Sequence, residues 1–272
     1  YCIIPYARGR VRSLPVPTAV EQTRALAAEG YREIVVTGIE ISSWGQDLKN
    51  GETLIDLLEA VCTAAPAVRI RLGSLEPRTI TEEFCRRAAA LPNLCPQFHL
   101  SMQSGCDDTL KRMNRKYDTT RYAQSVALLN QYFDHPAVTT DLITGFPEET
   151  EEEFAQTLDF IRRCGFAQMH IFPYSVRPGT PAAKMDDPVS HKEKARWMAE
   201  LLALQEQISA EQMQLHRGET FKCFVSGKGK LGDNYVAART DGNLIIEFEG
   251  DDSLIGSFQN VKVIEPLTYV LR

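Results

Sequence analysis

The 272-residue sequence lacks any apolar run long enough to cross a bilayer, and no signal-peptide pattern opens it. These absences argue against a membrane-spanning or secreted protein, so we expect a cytoplasmic location and reduced thiols. The five histidines show none of the short spacings typical of zinc ligands, and we assign them no role. The sequence contains no internal repeat and no low-complexity tract.

An excess of positive charge is also absent, because 30 Lys and Arg face 36 Asp and Glu. The overall charge of −6 therefore does not indicate a nucleic-acid binder. Basic residues are nevertheless clustered at Arg8, Arg10 and Arg12, and in a second group. That group consists of Lys111, Arg112, Arg115, Lys116 and Arg121. Each cluster is either a solvated face or an anion-binding surface, and the sequence leaves both interpretations open.

Seven cysteines occur at irregular spacing, an odd number that does not suggest a disulfide framework. They are Cys2, Cys62, Cys85, Cys95, Cys106, Cys164 and Cys223. We expect most of them to be small core residues.

The first ~215 residues alternate β-rich runs with helical patterns, which predicts an α/β fold. Strands are predicted at Glu33–Gly38, Arg69–Leu72, Phe98–Ser101, Val138–Thr144 and Ala167–Phe172. Helices are predicted at about 18–30, 53–65, 80–91, 119–132, 150–165 and 190–216. Four helix starts match a capping box, in the pairs Thr18/Glu21, Thr79/Glu82, Thr150/Glu153 and Ser190/Glu193. Right-handed crossovers would curl the parallel sheet into a full or partial (β/α) barrel.

Polar stretches follow the predicted strands at their carboxyl ends, where parallel α/β sheets hold their active sites. After about Leu215 the pattern changes to short apolar runs separated by Gly, Asp and Asn turns. This predicts a small five-stranded antiparallel barrel. We therefore divide the chain into residues 1–215 and 216–272.

The opening segment Tyr1–Arg10 resembles the end of the cluster motif of the radical SAM methylthiotransferases. That family carries Cys-x-x-x-Cys-x-x-Cys followed closely by Ile-Pro-x-x-Arg-Gly. In this register Cys2 is the third cysteine, so the resemblance implies that it is a ligand of a 4Fe–4S cluster. It also implies that two cysteines, the first barrel strand and an N-terminal domain with a second cluster are missing. We expect this chain alone to be catalytically inactive.

Further family blocks follow in order along the whole chain. They are Gln103–Asp108, Leu110–Arg115, Asp141–Thr150 and Phe172–Pro181. The C-terminal segment lies where the family carries its TRAM domain, a tRNA-binding module. The resemblance implies transfer of a methylthio group to carbon 2 of an adenosine in tRNA, with S-adenosylmethionine as the source of radical and methyl group. The anticodon loop is the expected partner.

Three subgroups of the family modify different targets. The blocks Ile3–Gly9, Thr37–Gly45 and Gln103–Asp107 look most like the subgroup that acts on threonylcarbamoyladenosine. The alternatives are the subgroup for isopentenyladenosine in tRNA and the subgroup for a ribosomal-protein aspartate. A noncatalytic RNA-binding module is a reading from a different class.

The resemblance also assigns residues. Glu40 would hold the amino group of S-adenosylmethionine, and Arg115 its carboxylate through a guanidinium fork. Its methionine or ribose would contact Gln103 and Ser104, and its adenine or ribose would contact Thr144, Gly145, Phe146 and Tyr174. The candidate RNA-binding residues are Arg8, Arg10, Arg12, Arg177, Lys228, Lys230 and Arg239. For every one of these residues the alternative is a structural role, as a surface charge, a loop cap or a packing contact.

Overall fold

The computed structural model describes residues 1–272 and shows an α/β part followed by an all-β part. The helices are α1 (Ile4–Arg8), α2 (Val16–Ala28), α3 (Leu54–Ala64), α4 (Glu82–Ala89), α5 (Asp107–Arg112), α6 (Thr119–Tyr132), α7 (Glu151–Cys164) and α8 (His191–Leu215). The strands are β1 (Glu33–Val36), β2 (Arg69–Leu72), β3 (Gln97–His99), β4 (Ala137–Thr144), β5 (Gln168–Pro173), β6 (Thr220–Lys228), β7 (Tyr235–Arg239), β8 (Ile245–Glu249) and β9 (Phe258–Lys262). None of these helices has the length and apolarity needed to cross a bilayer.

The first five strands form a parallel arrangement in chain order. β1 pairs with β2, and β4 lies between β3 and β5. Parallel bridges from Ile70 to Leu94 and from Leu75 to Leu100 connect the two groups. This order agrees with the predicted parallel sheet, whose carboxyl ends all lie at one edge.

The two faces of this sheet differ in what covers them. Residues such as Val138, Leu142 and Met169 belong to the main hydrophobic core, which they share with helix residues. The alternate residues, including Asp141 and His170, lie on the opposite face, which the helices do not cover. We call this second surface the inner face of the sheet.

Two of the four predicted capping boxes are confirmed. The side chains of Thr150 and Ser190 cap α7 and α8, and the glutamate three positions later returns the bond in each case. The other two predictions are wrong. α2 begins at Val16 because Pro17 fits the first turn, where no backbone N–H is needed. α4 is capped by Thr81 rather than by Thr79, and a further box at Thr53 begins α3.

The C-terminal part is a four-stranded antiparallel sheet in the order β8-β7-β6-β9, not the five strands predicted. The last segment contributes only bridges, from Leu271 to Ile246 and to Pro266. Proline has no N–H to donate, which limits ladder formation there. The sheet encloses its own small core around Cys223, Val225 and Val236. The proposed boundary between residues 215 and 216 falls between α8 and β6.

The all-β part packs against the amino ends of the parallel strands. The Arg71 guanidinium donates to the carbonyl of Asp241 at 2.8 Å and pairs with Glu33 at 3.0 Å. The Arg69 guanidinium lies 4.7 Å from the centre of the Phe258 ring. Because β4 has eight residues, about 25 Å separates this end of the sheet from the carboxyl edge.

Candidate active site at the carboxyl edge of the parallel sheet

Three side chains distant in sequence meet at the carboxyl edge. The Tyr1 hydroxyl donates a 2.8 Å hydrogen bond to Oε1 of Gln103, and it accepts one from the Arg115 guanidinium. The same guanidinium lies 5.4 Å from the Tyr1 ring centre and 5.9 Å from that of Tyr117. Its buried Nε has no hydrogen-bond partner. The sequence-predicted residues Gln103 and Arg115 are therefore brought together.

The backbone of Gln103 holds its side chain in this place. Its N–H donates to the carbonyl of Asp141, and its carbonyl accepts from the N–H of Ile143, both at 2.9 Å. Its φ is +71°, a left-handed conformation that costs a residue with a side chain about 1–2 kcal/mol. The two bonds to β4 keep Gln103 in this conformation, so the strain is fixed at the candidate site.

An aromatic group lies beside this contact. The Phe146 ring centre is 6.0 Å from that of Tyr1 and 5.2 Å from that of Tyr174. The Tyr174 hydroxyl and Oγ1 of Thr144 are buried without hydrogen-bond partners. A buried unpaired hydroxyl costs about 1–3 kcal/mol. Together with Nε of Arg115 they are orphaned buried polar atoms at the carboxyl edge, the kind of group that a polar ligand satisfies.

The turn after β4 is held by a buried carboxylate. Oε2 of Glu149 accepts from the backbone N–H groups of Gly145 at 2.7 Å and Phe146 at 3.0 Å. Burial raises the pKa of Glu149 to about 7, although the two N–H donors oppose the shift. These N–H groups are therefore already occupied, and Gly145 has no free donor for a ligand.

Gly145 is also covered from outside by a residue that the sequence analysis missed. A Cβ at Gly145 would lie 2.7 Å from Cγ of Lys194, so the lysine stem packs directly on this glycine. The Lys194 ammonium pairs with Asp187 and lies 5.9 Å from the centre of the Tyr174 ring. The only sequence signal for this position was its place in the first turn of α8.

The structure does not bring Ser104 into this group. Its hydroxyl accepts from the N–H of Cys106 at 3.2 Å and lies 3.5 Å from that of Thr157 in α7. Only 1% of Ser104 is exposed. Its contacts are those of a loop cap, which was the alternative role.

Glu40 lies elsewhere on the carboxyl side. It is exposed, follows β1 and precedes a short 3-10 helix, Ile41–Ser43. With Arg8, Arg10 and Arg12 it lines a cavity of about 720 Å³ between α1, α2 and β1. Glu40 therefore shares a surface with the N-terminal arginines.

The remaining RNA-binding candidates are separated from the carboxyl edge or engaged in local contacts. Arg177 is exposed, and its carbonyl accepts from Thr180 in a turn after β5. Lys228 pairs with Asp252 at 3.0 Å, and the Arg239 guanidinium donates to Asn243. Lys230 is exposed, with its backbone N–H bound to Glu247. The last three lie on the all-β part.

Cys2 is exposed close to the Tyr1 contact, while five of the other six thiols are buried and Cys164 is half-buried. No group of three or more His, Cys, Asp or Glu side chains is placed to hold a metal. A 4Fe–4S cluster of the expected type needs three thiolates. Cys2 is therefore the one exposed thiol, and the residues of this chain do not complete a cluster site by themselves.

A family model described as the radical SAM superfamily matches residues 1–161. The chain is 36% identical over 271 residues to a tRNA-2-methylthio-N(6)-dimethylallyladenosine synthase of Clostridium botulinum, covering 100% of this chain and 60% of that protein. A protein of the same name from Alkaliphilus oremlandii is 37% identical over 272 residues, covering 100% and 58%. The chain thus spans less than two thirds of the length of these relatives.

Two solved structures have a similar fold. Coproporphyrinogen III oxidase from Escherichia coli, a radical SAM enzyme, matches with a TM-score of 0.54 and 14% identity over 82% of this chain and 58% of that chain. A radical S-adenosylmethionine methyltransferase from Kitasatospora setae, with cobalamin and a 4Fe–4S cluster bound, gives 0.51 and 16% over 62% and 33%. At these identities the likeness concerns the fold alone, and it confirms the predicted α/β class.

Proposed function

This chain belongs to the radical SAM superfamily, and on that premise we propose that it is the core of a tRNA methylthiotransferase. The observation that carries the proposal is sequence identity of 36% and 37%, over the whole chain, to two proteins named as tRNA methylthio-adenosine synthases. The cofactors of the superfamily are a 4Fe–4S cluster and S-adenosylmethionine. The proposed location is the cytoplasm, with tRNA as the substrate and its anticodon loop as the part recognised.

The carboxyl-edge residues fit S-adenosylmethionine. Arg115 offers an unpaired Nε, and its guanidinium suits the carboxylate of the methionine part. The amide of Gln103 has hydrogen-bonding capacity beyond its one bond to Tyr1. The hydroxyls of Thr144 and Tyr174 would bind the ribose or the adenine. Bound here, the cofactor would supply the radical that activates carbon 2 of the target base.

Within this chain, Cys2 is the residue that we propose as a ligand of the 4Fe–4S cluster. This thiol is exposed and adjoins Tyr1, which contacts both Gln103 and Arg115. A cluster held there would lie beside the proposed cofactor site. Its other ligands and a second cluster are not among the residues of this chain.

Two nucleosides are candidate substrates. The names of the relatives favour N6-dimethylallyladenosine, which was an alternative in the sequence analysis. The blocks Thr37–Gly45 and Gln103–Asp107 favour threonylcarbamoyladenosine. The first carries an apolar N6 group, while the second carries a carboxylate. We propose the dimethylallyl nucleoside first, because the matches to these relatives extend over the whole chain.

Nucleoside analysis tests the proposal. The complete parent protein is expressed in a strain that lacks methylthio nucleosides but makes both precursors, and the tRNA is digested for mass spectrometry. We expect methylthio-dimethylallyladenosine, lost in Cys2→Ala but kept in Cys164→Ala, whose thiol is half-buried in α7. The threonylcarbamoyl product would instead support the second nucleoside. Absence of both products from tRNA, with soluble protein, would refute the proposal.

A further inference from the structure

Four side chains on the inner face of the sheet lie just below the candidate cofactor site. They are His99 on β3, Asp141 on β4, and His170 and Phe172 on β5. Asp141 is paired in register with His170, and Ile143 with Phe172, while His99 is paired with Thr139. Neighbouring strands are about 4.8 Å apart and alternate residues about 7 Å apart. These side chains therefore span an area comparable to a purine ring.

A chain of polar contacts links Gln97, Thr139, His99 and Asp141. Nε2 of Gln97 donates to Oγ1 of Thr139 at 3.2 Å, and the same hydroxyl lies 3.0 Å from Nδ1 of His99, to which its own proton is free to be donated. Nε2 of His99 lies 3.2 Å from Oδ2 of Asp141, and a carboxylate oxygen, which only accepts, favours a proton on that nitrogen. This contact is not aligned as a regular hydrogen bond. We treat it as an electrostatic pairing, because the two atoms are close and Nε2 is buried.

Asp141 is therefore an acceptor with one oxygen still open. Burial favours its neutral form, but His99, His170 and Arg115 together outweigh this effect and lower the pKa of Asp141. About 32% of its side chain remains exposed on the inner face. An ionised carboxylate accepts hydrogen bonds and donates none. The open oxygen thus selects for a ligand with an N–H or O–H group.

An aromatic surface lies next to this acceptor. Phe172 is 52% exposed, although it lies within a strand, and His170 is exposed as well. The side chain of Phe172 follows His170 on the same face. Proteins that bind unstacked RNA bases combine an aromatic ring for stacking with polar groups that contact the base edge. The inner face offers both elements within one site.

We propose that the inner face binds the adenine ring of the nucleotide to be modified, a proposal that rests on the proposed function. Phe172 stacks on the ring, Asp141 accepts the hydrogen of N6, and the His170 imidazole donates to N1. Both candidate nucleosides keep one hydrogen on N6, so this contact suits either. S-adenosylmethionine also contains adenine, but its proposed ligands, Gln103 and Arg115, lie at the carboxyl edge above this site.

The proposal predicts a switch of base preference. In Asp141→Asn the Nε2–H of His99 would hold the amide oxygen, so the NH₂ group would face position 6 of the base. That group would donate to the O6 of hypoxanthine and repel the N6–H of adenine. The exposed His170 ring can present an acceptor to N1–H of hypoxanthine. The variant would then bind inosine better than adenosine.

The experiment measures binding of the complete parent protein to anticodon stem-loop RNAs by fluorescence anisotropy. The RNAs carry adenosine, inosine or purine riboside at the target position. We expect Asp141→Asn to bind the adenosine RNA about tenfold more weakly and the inosine RNA more tightly than wild type does. Its affinity for the purine-riboside RNA should change little. Phe172→Ala should weaken all three RNAs by a similar factor of about 5–50. Gln168→Ala, on the same face and two residues before His170, is the matched control and should bind normally.

Three results would overturn the proposal. The first is an equal change of affinity for all three RNAs in Asp141→Asn, and the second is no change of affinity for any of them. The third is that this variant loses affinity for S-adenosylmethionine while its RNA binding is intact. The last result would assign the site to the adenine of the cofactor. If Asp141→Asn does not fold, His170→Ala replaces it, since this residue is exposed. This variant must weaken binding of the adenosine and purine-riboside RNAs by a similar factor, because both bases carry the N1 acceptor, and unchanged binding of both would overturn the proposal. If Asp141→Asn changes the base preference as predicted but the parent protein forms no methylthio nucleoside in tRNA, the proposed reaction is refuted while the proposed base-binding site still stands.

Discussion

The guanidinium of Arg115 donates a hydrogen bond to the hydroxyl of Tyr1, although 114 positions separate these residues in the sequence. This contact joins the residue that precedes Cys2 to the loop between α5 and α6. Gln103 accepts from the same hydroxyl. The start of the chain is thereby fixed at the carboxyl edge of the sheet, where Cys2 adjoins the candidate cofactor site.

Replacement of Arg115 tests that site. Arg115→Lys keeps the charge but loses the planar fork, so we expect S-adenosylmethionine to bind about tenfold more weakly to the complete parent protein. Equilibrium dialysis measures this affinity. Lys116→Ala, at the adjacent exposed position, is the control and should bind normally. Unchanged affinity in Arg115→Lys would remove Arg115 from the site.

Gln103 allows a test that separates strain from binding. Gln103→Gly should keep or raise the free energy of unfolding by up to about 1 kcal/mol, because glycine adopts positive φ freely. The same change at Gln168, an extended and exposed position in β5, should lower it by about 1 kcal/mol. Urea unfolding measures both. Gln103→Gly should nevertheless weaken cofactor binding, since the amide is lost. A large loss of stability in Gln103→Gly would contradict the strain argument.

The buried carboxylate of Glu149 predicts a pH dependence of stability. Its pKa is raised to about 7, so folding favours the protonated form. This contribution is fully present below the pKa of the unfolded state and is lost as the pH rises to about 7. Glu149→Gln stays neutral and keeps an acceptor for the N–H groups of Gly145 and Phe146. It should therefore remove this decrease of the free energy of unfolding with rising pH. The loss over this interval is on the order of 2–3 kcal/mol.

Urea unfolding of wild type and Glu149→Gln at acidic and at mildly alkaline pH checks this effect. The variant should gain stability relative to wild type as the pH rises. Glu152→Gln, an exposed position in the same helix start, serves as the control for general charge effects. Parallel pH curves for wild type and Glu149→Gln would show that Glu149 has an ordinary pKa.

The attachment of the all-β part depends on Arg71. Its guanidinium is almost fully buried between Glu33 and the carbonyls of Thr240 and Asp241. Arg71→Ala leaves Glu33 without its partner and should cost about 3–5 kcal/mol. Limited proteolysis should then cleave between α8 and β6, while wild type resists. Arg78→Ala, which removes an exposed ion pair with Glu76, should leave that connection protected.

The parallel sheet could be predicted because strand-like and helical periods alternate clearly, and its residues at strand ends could be predicted with it. Gln103 and Arg115 are brought together as expected. Ser104 is not, because the positive φ of Gln103 reverses the local alternation and turns the next side chain toward α7. Sequence periodicity holds no information about such a reversal.

Other features depend on contacts between distant residues. The bond from Tyr1 to Gln103 and the packing of Lys194 on Gly145 join segments that no local pattern relates. The capping pattern Thr18/Glu21 matched the sequence rule, but Pro17 began the helix earlier. His99 and His170 received no role because their spacing suggests no metal site, yet strand pairing places them on either side of Asp141.

The most direct test of the central claim uses the complete parent protein with its clusters loaded. It is incubated with S-adenosylmethionine that carries a deuterated methyl group, and with tRNA from a strain that lacks methylthio nucleosides. Mass spectrometry of the digested tRNA should show an N6-substituted adenosine that carries the deuterated methylthio group. With Arg115→Lys, the amount of this nucleoside should be much lower. Absence of any labelled nucleoside from the tRNA, with an enzyme that binds the cofactor, would contradict the claim that this chain is the core of a tRNA methylthiotransferase.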